Sequence, residues 1–113
     1  MSKDLRVFLL HIIDSISAIR EYTADGRDHF MSDRKTRDAV IRHFEIIGEA
    51  VKSLPDDFRS RHPQIPWKSI AGFRDVLIHR YFGVDPSMVW ATVVNQLPAL
   101  EKVVKTELAE PQS

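Results

Sequence analysis

The sequence predicts an all-α protein, a single domain over residues 1–113 in which helical segments pack as an up-down antiparallel bundle. Three observations predict it. Apolar residues recur at alternating spacings of four and three along separate stretches, which marks one buried face of a helix. No stretch alternates apolar and polar residues with comparable strength, so no strand is expected. A chain of 113 residues suffices for one hydrophobic core and is too short for two.

The first helix carries Leu5, Leu9, Ile12, Ile16 and Ile19 on one stripe, widened by Phe8. Ser2 is placed to cap its start, and the turn-forming run Thr23–Asp28 ends it. The second begins near Ser32 or Asp33, both good N-caps, and its stripe is Val40, Phe44, Ile47, Val51 and Leu54. Pro55 stops it. A connector with three prolines then runs to Pro66, long enough to be either a functional loop or a segment packed by its own side chains.

The third helix is expected to start at Ile65-Pro66-Trp67, with proline in the first turn, where its missing N–H costs nothing. Ile70, Phe73 and Leu77 form its stripe, and Gly83 is expected to end it in a left-handed conformation. The fourth opens at Asp85-Pro86 and carries Trp90, Val93, Leu97, Leu100 and Val104. Pro98 falls inside it and removes the hydrogen bond back to residue 94, so a kink or a split is expected there. Residues 109–113 are expected to fray.

Composition narrows the function. The chain is 43% hydrophobic and 28% charged, with 16 basic and 16 acidic residues. With no net charge, any nucleic-acid binding must come from a local cleft. The absence of cysteine excludes disulfides, thiolate metal sites and thiol catalysis. No apolar run reaches the ~18 residues that suggest a membrane span, and no signal-peptide pattern is present. The expectation is a soluble, cytoplasmic protein. No metal-ligand set, glycine-rich phosphate loop or nucleophilic serine motif is found, and no cofactor is expected.

The chemically suggestive segment is Arg74-Asp75-Val76-Leu77-Ile78-His79-Arg80-Tyr81. On a helix at about 100° per residue, Arg74 and Tyr81 fall about 20° apart, whereas Arg74 and His79 differ by about 140°. Asp75 and His79 are one turn apart, so the carboxylate is expected to be able to fix the imidazole tautomer. One helix does not bring Arg74 and His79 together; a symmetric pair of such helices would. RNA cleavage without a metal needs proton transfer at the ribose 2′-hydroxyl or the leaving 5′-oxygen, and a cation for the charge growing on phosphorus. Histidine titrates near neutrality and arginine presents a planar fork to phosphate oxygens. His79 also falls in the last turn, where a helix end attracts positive charge. The residue types suffice for this chemistry, but such a set on an amphipathic helix is usually a solvated edge beside a core-flanking aromatic.

Arg74-x4-His79-x-Tyr81 resembles the R-x4-H-x-Y signature of HepT toxins in the HEPN ribonuclease superfamily. Ile47-Gly48-Glu49-Ala50, Ile65-Pro66-Trp67, Ile70-Ala71-Gly72-Phe73, Tyr81-Phe82-Gly83-Val84-Asp85 and Val89-Trp90 resemble family segments in the same order, covering nearly the whole chain. The resemblance implies a four- to five-helix HEPN-type bundle forming a homodimer with both motifs facing one groove. It implies a toxin of a toxin–antitoxin system, a metal-independent endoribonuclease leaving a 2′,3′-cyclic phosphate, with Arg74 and His79 as the catalytic pair. It further implies AMPylation of Tyr81 by an MntA-like nucleotidyltransferase antitoxin. Asp75 and Arg80 are accessory positions; aspartate departs from the asparagine common after the arginine and sets a negative charge beside the expected phosphate. The alternative is a non-catalytic nucleotide-binding partner subunit of a minimal nucleotidyltransferase.

Other residues read as structural. Glu45 and Glu49, one turn apart, are expected to be a solvated pair at the bundle edge. Gly48 costs roughly 1 kcal/mol in mid-helix, which suggests a close approach of helices, at a dimer contact among other places. His11 and His43 are read as edge histidines, and His29 and His62 as loop residues. Trp67 and Trp90 are assigned to core packing. Arg34, Lys35, Arg37, Arg42, Arg59, Arg61 and Lys68 form either a solvated rim or an RNA track.

Overall fold

The computed structural model describes residues 2–80 and 83–110. Among these, all regular structure is helical: α1 (Lys3–Tyr22), α2 (Arg27–Ser32), α3 (Arg34–Lys52), α4 (Asp56–Ser60), α5 (Trp67–His79), α6 (Pro86–Asn95) and α7 (Leu97–Ala109). α3 is the central helix, packed between α1 and α5; α1 also meets α7, and α2 bridges α3 and α6. α1 and α3 run antiparallel. Ser15 Oγ lies 3.2 Å from His43 Nδ1, while the earlier Phe8 and His11 share a cleft with the later Glu49 and Ala50.

The periodic stripes are the core. Leu5, Leu9, Ile12, Ile16 and Ile19 from α1 are buried together with Val40, Phe44, Ile47, Val51 and Leu54. Ile70, Leu77, Val93, Leu97, Leu100 and Val104 complete it, while Phe73 and Trp90 are partly buried against it. Ser2 caps α1 by accepting a hydrogen bond from Leu5 N–H at 3.1 Å. Asp33 occupies the N-cap position of α3 but makes no side-chain cap bond. The chain divides at Gln96 into α6 and α7, as the missing donor of Pro98 requires.

The structure adds two short helices, α2 and α4, to the four periodic segments. Each is anchored by one fully buried aromatic, Phe30 or Phe58, and each is too short to repeat an apolar position. His29 therefore lies on a helix and not in a loop. The connector is packed by its own side chains. The Trp67 indole N–H donates to the carbonyls of Arg59 and His62 at 3.1 and 3.0 Å, and His62 Nε2 meets the buried Glu107 carboxylate at 2.8 Å. Pro66 stands at the N-cap of α5, one position before the first turn. α5 ends at His79, four residues before Gly83, and Gly26 is the described glycine with positive φ. Gly83 is thus not a left-handed terminator.

His43 has an electrostatic consequence. Burial pushes its imidazole below the usual histidine range, and Arg42 adds to the effect. Because the folded value lies below the unfolded one, folding favours the neutral ring. That contribution is complete above the unfolded value of about 6.5 and shrinks as pH falls below it. Urea unfolding between pH 7 and 5 is expected to show this loss, and His43→Gln is expected to flatten the slope.

Candidate active site

The site is built where α5 crosses α3 at Gly48. A Cβ at residue 48 would stand 2.4 Å from Arg74 Cβ and 3.3 Å from the Ile70 carbonyl oxygen, so only glycine permits this approach. The close contact expected of Gly48 is therefore found within one subunit. It places the base of the Arg74 side chain directly against the α3 backbone.

Arg74 then turns into a network of alternating charge. Its Nε lies 2.8 Å from Glu49 Oε2, and its Nη1 lies 3.0 Å from Asp75 Oδ1. Lys52 Nζ, from the next turn of α3, reaches the same Asp75 oxygen at 3.3 Å. The order Lys52–Asp75–Arg74–Glu49 alternates in sign. Among the described residues the two carboxylates engage Nε and Nη1.

This corrects two expectations. Asp75 is engaged by Lys52 and Arg74 rather than by His79. Among the described residues no ion pair joins Asp75 to His79; both of its cation contacts are made through Oδ1. Glu49 is not merely solvated, because it holds the arginine. The Lys52 hydrogen bond first, and the Arg74 bond second, keep the Asp75 carboxyl below the usual carboxylate range. Any stabilisation from this shift is present above the unfolded value and is lost as pH falls through the folded one. In Lys52→Ala, the Asp75 carboxyl followed by NMR is expected to titrate at higher pH than in the wild type.

Arg74 lines a cleft of about 220 Å³ between α1, α3 and α5. Phe8, Ile46 and Ile78 supply apolar walls, and His11, Arg42, Glu45 and Glu49 supply polar groups. His79 is not among the lining residues. It is the exposed final residue of α5, and Arg80 caps the helix by donating its N–H to the Val76 carbonyl. Within one chain the guanidinium faces α3 while the imidazole sits at the helix end, as an angular separation of about 140° dictates. Tyr81 lies outside the described residues.

Most of the other basic residues have intramolecular partners. Arg34 pairs with Asp38, Arg59 with Asp56 and Arg61 with Glu107, while Arg37 donates to the carbonyl of Met31. Arg42 reaches Glu45 beside the cleft at 3.4 Å. These pairings favour a solvated rim over a continuous RNA track. Among the described residues, no helix is long and apolar enough to cross a membrane.

Comparison with known proteins shows the family. Residues 12–107 match the family described as Ribonuclease HepT-like. The chain is 45% identical over 108 residues to a protein of Methanocaldococcus jannaschii named as a candidate RNase, covering 91% of this chain and 89% of that protein. It is 45% identical over 102 residues to the probable ribonuclease HepT of Thermococcus cleftensis, covering 89% and 93%. A candidate RNase of Caldanaerobacter subterraneus is 44% identical over 104 residues, covering 91% and 93%. No solved structure matches the chain significantly.

Proposed function

This chain belongs to the HepT-like ribonuclease family, and we propose that it is a metal-independent endoribonuclease whose catalytic pair is Arg74 and His79. One observation carries the reading. Arg74 is gripped by Glu49 and Asp75 at a cleft, and an exposed histidine ends the same helix.

The chemistry follows from those groups. The ribose 2′-oxygen forms a bond to phosphorus as the bond from phosphorus to the 5′-oxygen breaks, which yields a 2′,3′-cyclic phosphate and a 5′-hydroxyl. A homodimer brings two copies of His79 to one groove. At each phosphodiester one His79 imidazole acts as general acid–base, accepting the 2′-proton and giving a proton to the leaving 5′-oxygen. Arg74 carries the charge that builds on the phosphoryl oxygens. Arg80, exposed beyond α5, adds a backbone-phosphate contact.

In the cell this activity is that of a toxin, restrained by an MntA-like nucleotidyltransferase that transfers AMP to Tyr81. The added phosphate would compete for the arginine fork and the adenosine would fill the groove. The test uses the purified protein, EDTA and a short single-stranded RNA. Fragments ending in cyclic phosphate are expected; intact RNA at high enzyme concentration, or cleavage only with added divalent metal, contradicts the assignment. Tyr81→Phe is expected to stay unmodified and toxic beside the antitoxin.

A further inference from the structure

We propose that α3 supplies the positioning groups for the active-site arginine: Glu49 holds the Arg74 guanidinium directly, and Lys52 holds it indirectly through Asp75. This rests on the reading of Arg74 as the phosphate-binding group.

Exposure argues that these contacts orient more than they stabilise. Arg74 is 27% exposed, whereas Glu49, Asp75 and Lys52 are 64%, 47% and 44% exposed. Ion pairs this open contribute about 0–1 kcal/mol, because water and salt screen them. They nevertheless fix geometry. A guanidinium on a flexible stem sweeps a wide arc, and contacts at Nε and Nη1 from two sides select one plane. Glu49 and Lys52 are three residues apart on α3, hence on one face. Their neighbour Gly48 brings that face against the root of Arg74.

The arrangement also accounts for an acidic residue beside a phosphate site. Alone, Asp75 would repel RNA and compete for the arginine. Its charge is shared with Lys52 at 3.3 Å, so it serves as a bridge between the two cations. Lys52 thereby limits the hold of Asp75 on Arg74.

The proposal separates binding from turnover. Glu49→Ala removes a negative charge near the phosphate and also frees the guanidinium plane. Cleavage of a short single-stranded RNA is expected to fall by about 10- to 100-fold in kcat, the scale of a misplaced catalytic group. Affinity for the uncleavable 2′-deoxy counterpart is expected to be unchanged or tighter, with an unchanged melting temperature. Glu49→Gln, which still offers an oxygen to Nε, recovers part of kcat, and Lys52→Ala gives a smaller loss than Glu49→Ala. A Glu49→Ala protein that turns over at the wild-type rate or faster overturns the proposal. So does one whose affinity, turnover and melting temperature fall together, since that is a structural role. Arg74→Ala separates the two levels: if it is inactive while Glu49→Ala is fully active, the positioning role alone fails. An active Arg74→Ala overturns the nuclease assignment and the positioning role with it.

Discussion

Replacing His79 with alanine is expected to lower RNA cleavage by about 10²–10⁴-fold, the range carried by a positioned general acid–base group. Replacing Arg74 with alanine is expected to cost about 10²–10³-fold, comparable to deleting one charge-stabilising donor at a transition state. Neither change should disturb the fold. His79 is exposed at the end of α5, and the ion pairs of Arg74 are open to solvent on the carboxylate side. Circular dichroism is therefore expected to show wild-type helicity in both variants. Arg74→Lys should rescue little. An ammonium has no fork, so it cannot engage Glu49 and Asp75 at separate nitrogens and still direct an edge at phosphate. Wild-type cleavage by either alanine variant contradicts the assignment of that residue.

Gly48→Ala is expected to damage both stability and activity, against its own helix propensity. Alanine gains roughly 1 kcal/mol over glycine within a helix. Here its methyl would lie 2.4 Å from Arg74 Cβ, where carbon atoms need about 3.5–4.0 Å. Neither Cβ can rotate away, so α3 and α5 must separate by about 1 Å or more at the crossing. Overpacking of this kind costs about 1–3 kcal/mol, leaving a net loss of up to about 2 kcal/mol after the propensity gain. The functional loss should be larger. A displacement of about 1 Å at the root of a catalytic side chain can reduce turnover by about 10²-fold. Urea denaturation and RNA cleavage measure the two effects separately. A Gly48→Ala protein more stable than the wild type and equally active would show that the crossing tolerates the methyl.

Where the apolar pattern repeats, sequence and structure coincide. Leu9, Ile12, Ile16 and Ile19 read as one face because burial demands that spacing, and all four are fully buried. Pro98 announced the break between α6 and α7 because a missing N–H acts locally. α2 and α4 escaped because each depends on one anchor, Phe30 or Phe58, whose burial is decided by distant residues. The end of α5 was misplaced for a similar reason, since a glycine signals a possible left-handed turn without requiring one.

At the site, spacing along α5 gave the divergence of Arg74 and His79 but not the partners of Arg74. Glu49 lies 25 residues earlier in the chain, and no local period connects it to Arg74. The available clue was Gly48, an unfavourable residue in mid-helix that marks a helix crossing. The neighbour of such a crossing, Glu49, is placed to meet whatever the other helix presents. The one-turn spacing allows Asp75 to meet His79, but the contacts it makes are with Lys52 and Arg74.

Because one chain holds its guanidinium and its imidazole in different directions, the most direct test is complementation between two inactive proteins. Arg74→Ala and His79→Ala subunits, unfolded together and refolded, are expected to form heterodimers that can be isolated with two affinity tags. If the arginine of one subunit works with the histidine of the other, each heterodimer keeps about half of its sites intact, and cleavage returns to a substantial fraction of wild type. Heterodimers that form and remain as inactive as either parent would contradict a site shared across the pair.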